Sequence, residues 1–336
     1  MRYKKTLICI AIACVLFTTA HSDIVKKGQV GFRFLQNPIS AEAIGRGGLG
    51  LVSFRNSNAV FWNPSGLGWL EGKMDFNASY TKGIADINYS AMVGAFNFGK
   101  YGVVALDFVG MDYGEFYGTR FAENTEGYID VGTFQPSAFS AGMTYSQKVS
   151  DRFSYGVRLK YVYQDLGTAL IGNRIDDTTS VIESKKYRHG EPAIDIGATY
   201  DFLSHGIRFG AVMRNFSREI KYETYKFPMP FAVGFSMTMR PFTFFDLPPQ
   251  RHDLEVGFET EHPRDFKEKV KFGAEYCYHK LLILRTGYMC NYDERGLTFG
   301  MGICKEIDRF NFRLNYAYQD FGVFNSVHTL SLGVTK

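Results

Sequence analysis

Two tryptophans and five cysteines are all that 336 residues contain of either type, and the charged fraction, 21%, is low. Each scarcity excludes something. Cys9 and Cys14 fall in the first 22 residues, which leaves Cys277, Cys290 and Cys304, an odd number without C-x-x-C spacing. Neither a disulfide framework nor a zinc site follows from that set, and the three read as small apolar fillers. The formal net charge of +4 owes three of its units to Arg2, Lys4 and Lys5, so the rest of the chain carries about +1 and makes no electrostatic case for nucleic acid. Beyond the first residues nothing approaches eighteen consecutive apolar residues, so no helix spans a membrane. His189, His205, His252, His262, His279 and His328 are scattered, without H-E-x-x-H or any metal spacing. Ser137, Ser140 and Ser146 lie in an alternating stretch without a nucleophile elbow. No catalytic residue, metal ligand or cofactor is expected.

What is present is 31 Phe, 21 Tyr and 35 Gly. The opening "MRYKKTLICIAIACVLFTTAHS" has a basic start, an apolar run from Leu7 to Phe17, and small residues Ala20 and Ser22 before Asp23. Residues 1–22 therefore read as a secretory signal. A lipoprotein with Cys14 lipidated is the alternative, but "AIA" lacks the Leu that usually precedes such a cysteine.

Then alternation with a period of two recurs. In "RFSYGVRLKYVYQ", Phe153, Tyr155, Val157, Leu159, Tyr161 and Tyr163 share one face, while Ser154, Gly156, Arg158, Lys160 and Gln164 share the other. "RFNFRLNYAYQ" and "PFAVGFSMTMR" repeat the pattern. A soluble sandwich would alternate too, but its strands are about five or six residues long. These runs are about ten to thirteen, the length of a tilted strand crossing a bilayer. Their polar faces carry Arg158, Lys160, Asp195, Glu255, Glu259, Lys271, Glu275, Arg285 and Arg313, which suit a polar lumen and not a dry core. Strands are predicted at 73–82, 86–98, 101–112, 136–149, 153–165, 192–202, 206–216, 228–240, 250–262, 268–279, 281–290, 295–305, 309–319 and 327–335. Fourteen is even, as a closed antiparallel barrel in a bacterial outer membrane requires. The long connections are 113–135, 166–191, 217–227 and the Pro-rich 240–253.

Residues 23–72 do not fit that pattern and are expected to plug a barrel formed by 73–336. "YGVVALDFVG" supports this, because Val103 and Ala105 make its second face apolar as well. Gly45-x-Gly47-x-x-Gly50 matches a dinucleotide fingerprint in letters only, since an extended "LVSF" follows and no βαβ unit surrounds it. Its glycines read as positions of positive φ or close packing of a plug on a wall. In "SNAVFWNPSGLGWLEG", Pro64 keeps Asn63 out of the helical region, and Trp62 and Trp69 flank the turn. One reading is a structural cap at the plug-to-barrel junction; the other is a lining for an apolar ligand channel. Phe61, Trp62, Asn63, Pro64 and Gly66, with Gly47 and Gly48, are the candidate hatch or ligand positions.

The stretch "GFRFLQNPISAEAIGRGGLGLVSFRNSNAVFWNPSGL" resembles the N-terminal signature of the PorV/PorQ family, related to FadL-type outer-membrane transporters. It carries Gly31, Phe32, Phe34 and Leu35, then Ala41, Gly45, Gly47 and Gly48, then Asn58, Ala59, Trp62, Asn63, Pro64, Gly66 and Leu67. The closing "YAYQDFGVFNSVHTLSLG" is similar to the family's last hairpin through Asp320, Gly322, His328, Ser331 and Leu332. Ser65 stands where the family has Ala, and the chain ends in "GVTK" without a terminal aromatic. The resemblance implies a fourteen-stranded barrel with an N-terminal hatch in the outer membrane of a diderm bacterium. It also implies one of two non-enzymatic roles. The first is an accessory of type IX secretion, with translocon subunits or secreted cargo as partners. The alternative is a FadL-like channel for long-chain fatty acids or other hydrophobic molecules. Size favours the accessory. Loops 113–135 and 166–191 are where a protein partner would dock, and outer-membrane lipids surround either kind of barrel.

Overall fold

The computed structural model describes residues 29–122, 124–174, 180–203, 206–244 and 251–336. The candidate signal 1–22, the first residues of the expected plug and His205 lie outside them. Fourteen antiparallel strands close into a barrel. They are β1 (Met74–Lys82), β2 (Asn88–Asn97), β3 (Val103–Asp112), β6 (Ser137–Lys148), β7 (Phe153–Arg174), β8 (Ser180–Asp201), β9 (Arg208–Ser217), β12 (Ala232–Met239), β13 (His252–Pro263), β14 (Lys269–Tyr278), β15 (Leu282–Cys290), β16 (Leu297–Ile307), β17 (Phe310–Asp320) and β18 (Ser326–Thr335). Closure joins β1 to β18, with Asp75 opposite Thr335 and Lys82 opposite His328.

Every expected strand is found, within a few residues at each end except where β7 runs on to Arg174 and β8 starts at Ser180. Three expected loops contain further strands. The span 113–135 holds a hairpin of β4 (Phe116–Phe121) and β5 (Tyr128–Phe134), and 217–227 holds β10 (Ile220–Lys221) and β11 (Lys226–Phe227). The largest departure is 166–191, most of which continues β7 and β8 to 22 residues each. Where its side chains are described, Leu166, Thr168, Ala169, Ser184, Lys185 and Lys186 are exposed on both faces, so no apolar–polar period marks the start of this extension in the sequence. Because strand direction alternates, all three of these excursions emerge on one side of the barrel. The chain terminus and the Pro-rich 240–251 connection share the other, short-turn side.

Alternation sorts the wall as the composition requires. Leu106, Met143, Leu159, Met301 and Leu332 point outward and are exposed, whereas Arg158, Lys160, Asp195, Glu259 and Lys271 point inward and are buried. Residues 29–72 occupy the interior. They form short turns of helix at Ala41–Ile44 and Ala59–Trp62 and 3-10 turns at Arg33–Gln36 and Pro64–Trp69. The chain descends from Gly31, whose N–H donates to Pro228 O beside the long loops (3.1 Å), to Lys73, whose N–H donates to Lys336 O at the short-turn rim (2.6 Å).

The seat of this inner segment is two-sided. On one side Phe54, Val60, Phe61, Trp62 and Leu67 pack on Ala91, Val93 and Ala95 of β2 and on Val103, Ala105 and Val109 of β3. That accounts for the apolar second face of β3. On the other side the wall offers glycines. A Cβ on Gly287 would sit 2.1 Å from Gly47 N, and one on Gly197 would sit 1.9 Å from Asn63 Oδ1. Gly47 and Gly48 adopt φ of +70° and +74°, which a side chain would strain. The G-x-G-x-x-G pattern is thus a close backbone-on-wall contact.

Gly287→Ala should unseat the inner segment while leaving the barrel closed. Limited proteolysis of the folded protein should then cut within residues 41–55, with the heat-dependent gel shift of the barrel retained. Gly296→Ala, whose Cβ would meet only Tyr288 at 3.8 Å, should change neither. Equal protease resistance in Gly287→Ala and the parent would show that the contact is not needed.

Candidate functional site

Asn63, Pro64 and Gly66 form a latch. Asn63 is extended (φ −144°, ψ 108°) and caps the Pro64–Trp69 turn, with Pro64 in the first position. Its Oδ1 accepts from Ser65 N at 3.1 Å and from Ser65 Oγ at 2.6 Å. Its Nδ2 donates to Ala198 O at 3.3 Å and Ala211 O at 3.5 Å on the wall. Ser65 Oγ in turn meets Thr199 Oγ1 at 2.7 Å. Ser65, the departure from the family pattern, is therefore part of the latch. These residues are buried and line neither of the two cavities described below, whereas Phe61, Trp62 and Gly48 line one of them. The structure thus separates positions that the sequence grouped.

The inward charges are not a solvated channel lining, because each is engaged. Arg158 is ion-paired to Asp107, and to Asp195 at 3.3 Å. Lys160 reaches Asp195 at 2.7 Å and Asn215 Oδ1 at 2.6 Å. Lys271 bridges Glu259 at 2.7 Å and Glu261 at 3.0 Å, and Arg214 holds Glu261 at 2.8 Å. Arg285 pairs with Glu275 at 2.7 Å, and Arg313 with Asp75 at 2.6 Å. The inner segment joins this network. Arg46 reaches Glu255 at 3.4 Å and Glu275 at 3.6 Å. The N–H groups of Gly50 and Leu51 donate to Glu259 at 3.1 and 3.2 Å. Glu42 Oε1 accepts from Asn315 at 3.0 Å. Desolvated charges persist only when paired and hydrogen-bonded in this way.

Two cavities lie along the axis toward the long loops. The upper one, of about 320 Å³, is lined by Phe34, Met111, Tyr113, Phe266, Tyr292 and Phe321, with Arg33, Lys269 and Arg295 among them. Its cations rest on rings. Lys269 Nζ lies 4.9 Å from the Phe266 centroid and 4.6 Å from that of Tyr292, and Arg295 lies 4.9 Å from Phe321. Burial raises the Tyr292 phenol above its ordinary value against the opposing pull of Lys271, so the ring stays neutral. The lower cleft has only about 40 Å³ of room, with Phe61, Trp62, Ser140, Arg214, Lys271 and Tyr292 on its walls. Phe34, Gln36 and Asn37 line both, so the stretch 33–39 is the partition between them.

That partition is seated by apolar packing: Phe34 is buried in one cluster with Met111, Ala138, Val162 and Ala193 of the wall, and Ile39 packs against the seat formed with β2 and β3. Its polar ties to the wall are Gln36 to Asp265 at 3.1 Å, Arg295 to Asn37 Oδ1 at 3.1 Å and Asn37 to Met111 Sδ at 3.8 Å. Sequence reasoning did not find Lys269, Tyr292 or Arg295, which sit at or between strand ends without any pattern. Asp107 had a signal, as the one charge on the otherwise apolar inward face of β3.

With that geometry in hand, the fold is similar to three solved outer-membrane proteins. The Ralstonia pickettii toluene transporter TbuX aligns over 88% of this chain and 97% of its own at 12% identity, with a TM-score of 0.60. The Pseudomonas putida toluene transporter TodX aligns over 89% and 97% at 11% identity, with a TM-score of 0.58. A Pseudomonas aeruginosa FadL homologue aligns over 88% and 97% at 12% identity, with a TM-score of 0.53. The shared feature is a FadL-type outer-membrane barrel. No protein-family model and no curated protein matches the sequence. The PorV/PorQ resemblance is carried by the two chain ends alone.

Two substitutions should rank differently in a urea titration of the protein in micelles. Arg158→Met strands Asp107 and Asp195 in the interior and should cost about 3–5 kcal/mol. Asn63→Ala removes one cap and its wall bonds and should cost about 1–2 kcal/mol. Losses in the reverse order would mean that the latch, not the ion pairs, holds the interior.

Proposed function

We propose that the chain is a non-enzymatic outer-membrane channel for hydrophobic small molecules, with the long loops facing outward and residues 29–72 acting as its hatch. The observation that carries this reading is the upper cavity. It is a space of about 320 Å³ on the long-loop side, where Phe34, Met111, Tyr113, Phe266, Tyr292 and Phe321 stand among charged residues that include Asp293 and Glu294 as well as the three cations, and its volume is within the usual range of small-ligand pockets. It ends on a partition, 33–39, held by apolar packing and side-chain hydrogen bonds and not by ion pairs among the described residues, while the rest of the hatch is tied down by buried ion pairs and the Asn63 latch. A solute entering from the loops meets this mixed lining first and the partition second. The orientation follows from the rule that bacterial barrels keep short turns on the periplasmic side.

The transporters with similar folds support a channel in preference to the secretion accessory that size had favoured. The aromatic walls suit an apolar body, and Arg33, Lys269 and Arg295, which outnumber Asp293 and Glu294 on the same lining, suit an acidic end. Long-chain fatty acids therefore stand beside neutral hydrocarbons as solutes. Under this reading translocon subunits and secreted cargo are not required partners.

The test is uptake of labelled oleate and labelled toluene by a diderm host that lacks its own such channels. Expression of the chain should accelerate entry of at least one of them. Met111→Trp, which fills the upper cavity, should reduce that rate at least tenfold at equal surface abundance. Uptake no faster than in cells without the protein, or uptake indifferent to Met111→Trp, would remove the channel reading. Extracellular loss of a secreted protein on deletion, with uptake unchanged, would restore the accessory.

A further inference from the structure

The lower cleft holds two buried polar groups with no partner. Trp62 is 4% exposed and Ser140 is fully buried, yet Trp62 Nε1 and Ser140 Oγ make no hydrogen bond. Both line the same small space. An indole N–H can only donate, and a buried donor left unmade is expensive. Ser140 lies opposite Val109 on one side and Val162 on the other, and no wall carbonyl accepts a hydrogen bond from its Oγ or from Trp62 Nε1. The missing partner is therefore an acceptor inside the cleft.

Its charge follows from the surroundings. Arg214 and Lys271 lie 5.9 and 5.5 Å from the Trp62 ring, and Lys160 faces the same space. Glu261 is the single carboxylate on the lining, and it is shared by Arg214 and Lys271. Lys269 also lines the cleft and has no carboxylate within ion-pair distance among the described residues. Arg158, Lys160 and Lys271 are already paired with Asp107, Asp195 and Glu259 behind the lining, so the positive surplus rests with Lys269 and Arg295, and a surplus in a desolvated space favours a negative occupant over a neutral one. About 40 Å³ admits one small group, not a chain or a ring.

We propose that the lower cleft is an anion site that takes one halide or one carboxylate group on the Trp62 N–H and the Ser140 hydroxyl. The site stands independently of the channel reading. Only the source of the anion, a free ion or the acidic end of a passing amphiphile, depends on it.

Trp62 reports on its own site. Trp69, the other tryptophan, donates from Nε1 to Ser154 Oγ at 2.7 Å outside the cleft, so Trp69→Phe leaves a single indole to observe. Sodium iodide is titrated into this variant in micelles, at an ionic strength held constant with sulfate. The expected result is saturable quenching of Trp62 that acetate or dodecanoate reverses. Adding Ser140→Ala, which removes an atom with no partner and should leave the fold intact, should weaken half-saturation about tenfold. Dodecanoate acting at far lower concentration than acetate would assign the site to a cargo's acidic end. Acetate acting at equal or lower concentration would assign it to a free ion. Quenching that rises linearly with iodide, or half-saturation unchanged by Ser140→Ala, would overturn the proposal and leave water as the occupant. Saturation in a protein that carries no hydrophobic solute would keep the site and discard the channel.

Discussion

A fourteen-stranded barrel encloses more volume than the side chains of its own wall can fill, yet less than the water-filled lumen of the widest porins. Something must occupy that volume, and here the chain supplies it from its own N-terminal side. The inner segment can approach closely only where the wall has no Cβ, which is why Gly197 and Gly287 face Asn63 and Gly47. It can cross a charged interior only by joining the charges, which is why Glu42 and Arg46 are engaged with Asn315, Glu255 and Glu275.

The interior is divided as a result. Strands β2 and β3 present alanine and valine and form an apolar seat with Phe61, Trp62 and Leu67. Strands β7 to β17 present ion pairs. Such pairs are poor stabilisers in net terms but strict about geometry, because removing one partner strands the other. They fix the lower and middle parts of the inner segment in one position. The stretch 33–39 lies outside this ion-pair network and is held by apolar packing instead, and it is the stretch that separates the two cavities.

Much of the barrel was legible in the chain. "RFSYGVRLKYVYQ" declares its two faces because lipid lies on one side and a polar interior on the other, so Leu159 and Arg158 must alternate. The same rule fails at 166–191, where the described side chains at the start of the extension are exposed on both faces and alternation has no cause, and that span was read as loop. Asn63-Pro64 was legible as a turn with Asn63 extended, since Pro64 restricts the residue before it; the capping bonds of Asn63 to Ser65 are a finding of the structure. Its donation to Ala198 and Ala211 was not legible either, because those carbonyls lie more than a hundred positions away.

The sequence by itself determined that the chain makes long two-faced strands, that these number fourteen, and that the stretch ahead of the first of them lacks their alternation. Those are local properties, set by residue-by-residue preference for lipid, water or a turn. Which charges meet, and whether a lumen charge faces water or a partner, was decided only by tertiary structure. Arg158 finds Asp107 and Asp195 across three strands, and Lys269, Tyr292 and Arg295 become a cavity wall only when barrel closure brings loop ends around Phe34. Ion pairing and cavity formation depend on distance in space, which closure sets and spacing along the chain does not encode.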